Sequence, residues 1–138
     1  MRFVDTNILL YAASKAADEQ EKARLALDLL DSEDLALSVQ VLQEFYVQAT
    51  RASRPDAMSH EQASLLIESF LRFQIQEVTL VLMKSALDTK ARFQISYWDA
   101  AIIEAARALG CPTILTEDLS HGRDFSGVVI ENPFHSLG

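Results

Sequence analysis

Cysteine, glycine and proline are all scarce in this sequence. Cys111 is the single cysteine among 138 residues, which excludes an internal disulfide and any multi-thiolate metal site within one chain. Four glycines and three prolines leave few places where regular structure has to break. Positive charge is short too. Twelve Lys and Arg stand against twenty Asp and Glu, a net charge of −8 with His neutral, so the surface is not built to coat a polyanion with bulk positive charge. No apolar run approaches the roughly eighteen residues of a membrane span. Asp5 interrupts the apolar N-terminus before a signal-type segment could form, and the expected compartment is the cytoplasm. What is abundant is apolar residue, at 49 % of the chain against 23 % charged. A chain of this size buries about two thirds of its unfolded surface. Without repeats, low-complexity runs or a linker, residues 1–138 are expected to form one domain.

Short apolar runs alternate with longer helical patterns. Arg2-Phe3-Val4-Asp5 reads as a buried strand ending in a carboxylate, with a short helix over Ile8–Ala13. Ala17–Leu30 is predicted as a helix with Ala23, Leu27 and Leu30 on its apolar stripe. Leu35-Ala36-Leu37 reads as a strand, and Ser38 as the N-cap of a helix running to about Ser53. Ser59–Phe73 shows an apolar side of Ala63, Leu66, Ile67, Phe70 and Leu71. Glu77-Val78-Thr79 is a minor strand candidate. Helices over Leu82–Phe93 and Tyr97–Leu109 follow, the second capped by Ser96 and ended by Gly110. Strands over Pro112–Thr116 and Val128–Ile130 close the order. Short strands joined by helical crossovers predict a parallel sheet covered on both faces. In such sheets chemistry gathers beyond the carboxyl ends of the strands, where Asp5 and Asp118 both fall.

Four carboxylates stand where solubility does not require them. Asp5 ends the first strand, Glu44 lies within the mostly apolar Val41-Leu42-Gln43-Glu44-Phe45-Tyr46, Asp99 follows Tyr97-Trp98, and Asp118 follows Ile114-Leu115-Thr116-Glu117. Each has a plainer use: Asp5 as a helix cap, Glu44 on a solvated helix side, Asp99 in a capping box with Ser96, Asp118 as a turn acid. Brought together, they would repel one another, and burying them would cost several kcal/mol without compensation. A hard divalent cation, Mg²⁺ or Mn²⁺, compensates such oxygens and also binds phosphates. The same ions can activate water against a phosphodiester.

The segments carrying these acids resemble those of one family. Phe3-Val4-Asp5-Thr6-Asn7-Ile8-Leu9 is similar to the opening strand of PIN-domain nucleases. Val41-Leu42-Gln43-Glu44-Phe45, Ser96-Tyr97-Trp98-Asp99-Ala100 and Leu115-Thr116-Glu117-Asp118-Leu119 resemble their later acidic segments in the same order. Tyr97-Trp98-Asp99 and Asp118-Leu119-Ser120-His121-Gly122 look most like the VapC-type toxins of bacterial toxin–antitoxin pairs. The resemblance implies a three-layer α/β/α fold with a central parallel sheet of four or five short strands. It implies a Mg²⁺- or Mn²⁺-dependent endoribonuclease whose product carries a 5′-phosphate and a free 3′-hydroxyl. Carried over by position, Asp5, Glu44, Asp99 and Asp118 form the acidic site. Asp5, Asp99 and Asp118 are the implied metal ligands, and Glu44 is implied to hold or polarise a water beside them. Thr6, Asn7, Ser96 and Thr116 would orient these groups. A homodimer and a small antitoxin partner are implied as well. Some family members carry a further acid after the fourth; here Glu117 or Asp124 could fill that place.

Cations for an RNA backbone are few: Lys15, Arg51, Arg54 and Arg123 border the expected strand-end loops, and His121 is a possible contact beside Asp118. Arg51 and Arg54 equally suit the end of a helix. Tyr97 and Trp98 read as core or interface residues rather than as platforms for bases. Other functions stay open. Asp5 could be the nucleophile of a phosphatase, although the position two residues on is Asn7 rather than an acid. The chain could also be a non-catalytic interaction module, or a nuclease acting on DNA or structured RNA.

Overall fold

A computed structural model describes residues 1–137. Five strands form one sheet: β1 (Arg2–Val4), β2 (Leu35–Ser38), β3 (Gln74–Gln76), β4 (Thr113–Leu115) and β5 (Val129–Glu131). Their spatial order is β3-β2-β1-β4-β5 and every pairing is parallel. Six α-helices connect them: α1 (Thr6–Ala13), α2 (Gln20–Leu30), α3 (Val39–Ala49), α4 (His60–Phe70), α5 (Leu80–Phe93) and α6 (Tyr97–Ala108). From β1 to β3 the chain steps one way along the sheet, and from β3 to β4 it steps back. With right-handed crossovers, α1–α4 cover one face and α5–α6 the other. The packing follows: α1 meets α2 and α3, α3 meets α4, and α5 lies along α6, which rests on β2, β3 and β4. This is the expected three-layer α/β/α architecture with a parallel five-stranded sheet.

The core is drawn from both faces of the central strands. Phe3, Val4, Leu35, Ala36, Leu37, Ile114 and Leu115 are fully buried or nearly so, which explains why β1, β2 and β4 read as continuous apolar runs. The sheet's edge behaves differently. β3 is an edge strand with the sequence Gln74-Ile75-Gln76, three positions upstream of the expected Glu77–Thr79. An edge strand half open to solvent does not need a continuous apolar run. Glu77 and Val78 instead lead to Thr79, whose side chain caps α5 through the Leu82 amide.

Two helices end earlier than their sequence pattern suggests. α3 stops at Ala49 rather than near Ser53, because the Thr50 hydroxyl donates back to the Tyr46 carbonyl at 2.7 Å and the Met58 amide takes the Ala49 carbonyl at 2.8 Å. α4 stops at Phe70, and Leu71 is exposed. On α2 the buried stripe is Ala23, Ala26 and Leu30, whereas Leu27 is 53 % exposed.

Candidate acidic site

Strand register brings the first and last acidic segments together. Val4 pairs with Leu115, and the ladder continues one step further as the Asp5 amide donates to the Leu115 carbonyl at 3.0 Å. Asp5 therefore emerges beside Thr116 at the carboxyl ends of two adjacent strands. Glu44 arrives from α3, which follows β2 on the other side of β1. Asp99 sits in the first turn of α6, whose N-cap Ser96 accepts from the Asp99 amide at 3.0 Å. Asp5, Glu44, Asp99 and Asp118 line one cleft of about 100 Å³, together with Thr6, Asn7, Gln48 and Trp98.

Asp5 is the most constrained of the four, with only 7 % of its surface exposed. One carboxylate oxygen accepts from the Thr6 amide at 2.7 Å and so caps α1. The other accepts from the Thr116 hydroxyl at 2.8 Å and, at 3.4 Å, from the Asn7 amide group. The cap and the site are thus the same residue. Burial is the main cause that raises the Asp5 pKa, to about 6. The hydrogen bonds from Thr6 and Thr116 pull it down, while the charges of Asp118 and Glu44 push it further up. Burial without a cation has this effect on a carboxylate. Among the described residues, none of the four acids forms an ion pair.

Asn7 fastens the two strand ends to each other. Its side-chain nitrogen lies 2.9 Å from the Thr116 hydroxyl and 3.1 Å from Asp118, and its oxygen accepts from the Glu117 amide at 3.2 Å. The Asp118 amide in turn donates to the Thr116 hydroxyl at 3.1 Å. Glu44 is held from two sides: the Thr6 hydroxyl donates to Oε2 at 3.1 Å and Gln40 donates to Oε1 at 2.8 Å. Gln40 and Gln48 went unnoticed in the sequence. The signal for both was their spacing four residues either side of Glu44 on one helix.

The remaining candidates lie elsewhere. Glu117 turns away to Lys22, at 2.9 Å, and to the Tyr11 hydroxyl. Asp124 is exposed and caps a turn through the Gly127 amide at 2.7 Å. Lys15 borders a separate groove with Asp56, and Arg54 pairs with Asp56 at 3.0 Å. Arg123 stacks over Phe125, and His121 accepts from the Asn132 amide while stacking on His135. Of the five possible RNA contacts, Arg51 is the one that borders a groove shared with Glu44. Trp98 is not a core residue: 65 % of it is exposed, at the rim of the cleft.

The donor chemistry suits a hard cation, since the cleft offers carboxylate and amide oxygens and neither sulfur nor imidazole. As packed, the carboxylates of Asp5, Glu44 and Asp118 are engaged by Thr6, Asn7, Thr116 and Gln40, while that of Asp99 accepts no hydrogen bond among the described residues. Among the described residues no three His, Cys, Asp or Glu side chains are arranged to hold an ion together. The fit is therefore one of donor type and of uncompensated charge at Asp5, with three of the four acids oriented by neutral hydrogen-bond donors.

Several solved structures share this fold. VapC20 of Mycobacterium tuberculosis, described as a sarcin–ricin-loop-cleaving toxin, superposes with a TM-score of 0.65 at 18 % identity, covering 86 % of this chain and 90 % of that one. A toxin–antitoxin complex from Klebsiella pneumoniae gives 0.69 at 20 % identity, covering 96 % and 98 %. DNA-bound VapBC from Salmonella typhimurium gives 0.66 at 17 % identity, covering 96 % and 97 %. No curated protein matches the sequence significantly. The PIN domain matches residues 2–123. That span is most of the chain and contains all four acidic segments, and the chain belongs to the PIN-domain family.

Proposed function

We propose that this protein is a Mg²⁺- or Mn²⁺-dependent endoribonuclease and the toxin of a toxin–antitoxin pair, acting in the cytoplasm as a single-domain homodimer restrained by a small antitoxin. The observation that carries the reading is the gathering of Asp5, Glu44, Asp99 and Asp118 around one cleft at the carboxyl ends of β1 and β4. The toxin assignment is supported by the structural neighbours, among them a sarcin–ricin-loop-cleaving toxin and a toxin–antitoxin complex.

In this reading Asp5, Asp99 and Asp118 supply the oxygens that would hold the ion. When bound, a divalent ion there supplies positive charge to the phosphodiester in flight and makes water more acidic. The protein's own part is orientation. Asp5 is fixed through Thr6 and Thr116, and Asp118 through Asn7, so the two face the cleft without rearranging the strand ends. Glu44, steadied by Gln40 and Thr6, keeps a lone pair on each oxygen with which to align and deprotonate the attacking water.

The test is cleavage of single-stranded RNA, duplex RNA and single-stranded DNA at equal Mg²⁺, by the wild-type protein and by Asp5→Asn. Loss of at least about a hundredfold in Asp5→Asn, abolition by chelator and return with Mn²⁺ are expected. Cleavage that persists in chelator, or is equal in Asp5→Asn, rules the reading out.

A further inference from the structure

An exposed indole stands at the rim of the cleft. Trp98 is the only tryptophan and the most exposed aromatic side chain at the site, and it lines both the acidic cleft and an adjoining groove of about 380 Å³. That groove is walled by Gln40, Gln43, Gln48 and Arg51, with Glu44 on the shared wall. Gln40 ties the two spaces together, donating to Glu44 and, at 3.3 Å, to the Trp98 carbonyl. Gln43 and Gln48 make no side-chain hydrogen bond among the described residues, and Arg51 no ion pair. Tyr97 meets the indole edge-on at 5.0 Å and 80°, which steadies the ring while leaving much of it open.

From this arrangement we propose that the groove is a nucleobase subsite, in which one unpaired base of single-stranded RNA stacks on Trp98 next to the bond to be cut. The proposal rests on the nuclease reading and names how that site grips its substrate. An acidic protein of charge −8 gains little from bulk attraction to phosphates, so its affinity needs a contribution that charge does not set. Stacking on an aromatic ring is such a contribution. Primary amides present both donors and acceptors to a base edge, and Arg51 is placed to meet the neighbouring phosphate. A base paired within a duplex cannot offer its face to the ring, so the subsite selects unpaired strands.

Because Trp98 is the sole tryptophan, its emission reports on the groove directly. The full-length Asp5→Asn protein in Mg²⁺ is titrated with an RNA hexamer and with an abasic hexamer of the same phosphate count. The RNA hexamer is expected to quench the emission and the abasic one to leave it unchanged. By anisotropy of labelled hexamer, Trp98→Ala should weaken RNA binding about tenfold or more, with Trp98→Phe recovering part of the loss; binding of the abasic strand should not change. The proposal is overturned if RNA does not bind, binds without altering the emission, or is matched by the abasic strand. It is equally overturned if the emission shifts with protein concentration alone, which would place Trp98 between two copies of the chain. Wild-type cleavage separates the two ideas. Base-dependent quenching without any cleavage leaves the subsite standing and removes the nuclease, and cleavage without quenching does the reverse.

Discussion

Replacing Asp5 by Asn should make the metal-free protein more stable at neutral pH and less stable in acid. Asp5 is 7 % exposed and its folded pKa is raised from 3.8 to about 6, chiefly by burial. An acid whose pKa rises on folding is easier to ionise in the unfolded chain. Below about pH 4 both states hold the proton and the group contributes nothing; between about pH 4 and 6 the unfolded state alone loses it, and stability falls. Above about pH 6 the full penalty applies, roughly two pKa units or about 3 kcal/mol. Asparagine removes that penalty. It also exchanges one acceptor oxygen for a donor facing the Thr116 hydroxyl, which already receives the Asn7 amide group and the Asp118 amide; such a mismatch costs about 1 kcal/mol. Asp5→Asn should therefore gain about 2 kcal/mol at pH 8 and lose about 1 kcal/mol at pH 3, crossing over near pH 4.5. Urea unfolding of both proteins in chelator across this range measures the difference, with equal slopes required. A gap that stays constant with pH would show that Asp5 carries no burial penalty, and the account of the site's electrostatics would fail. With Mg²⁺ added at pH 8 the wild type should recover stability by mass action, and Asp5→Asn less so.

Three further outcomes follow from particular contacts. Asn7→Ala removes the group that joins Asp5, Thr116, Glu117 and Asp118; it should cost about 2 kcal/mol and lower RNA cleavage with the fold retained, read by unfolding and by far-ultraviolet dichroism. Arg107 pairs with Glu104 at 3.1 Å and donates to the Phe125 and Ser126 carbonyls, while Glu104 is 8 % exposed. Arg107→Ala should then cost about 3 kcal/mol by leaving that acid without its cation, and substrate KM should be unchanged in the protein that remains folded. Leu27→Gln should lie within about 0.5 kcal/mol of wild type, whereas Leu30→Ala on the same helix should cost about 2 kcal/mol or more.

The sequence showed most clearly what burial on both sides enforces. β1, β2 and β4 lie inside the sheet, so their residues must be apolar on each face, and their runs stand out. Ser38 and Ser96 were readable as caps because a short hydroxyl side chain before an apolar pattern has a local partner three residues on, and each does accept from that amide. Features set by distant partners were hidden. Leu27 fits the helical stripe of α2, yet the helix rotates so that the small Ala23 and Ala26 face inward. Glu104 and Arg107, three apart on α6, look like an ordinary surface pair, and the burial of Glu104 depends on α5, from which Thr89 donates to it. Trp98 read as a core or interface residue, and its exposure, which removes the first of these, depends on how the start of α6 is set beside α3.

The four acids are separated in sequence by as many as 113 positions, from Asp5 to Asp118, and topology rather than local motif accounts for their meeting. A chain that starts in the middle of a parallel sheet and steps outward on one side must return over the opposite face to complete the other. β1 is therefore flanked by the second and the fourth strand, β2 and β4. What leaves the carboxyl end of each adjoins the same short strand end, and the returning helix α6 begins above it. Placing Thr6, Asn7 and Thr116 at those junctions supplies neutral donors where four acidic chain segments converge. Neutral donors can orient carboxylates without cancelling their charge, and a cationic side chain in the same positions would have satisfied the acids and left nothing for a divalent ion to bind. Among the described residues no lysine or arginine pairs with Asp5, Glu44, Asp99 or Asp118, whereas Lys22 pairs with Glu117 next door; under the proposed function, that contrast distinguishes acids open to an ion from an acid that holds the fold.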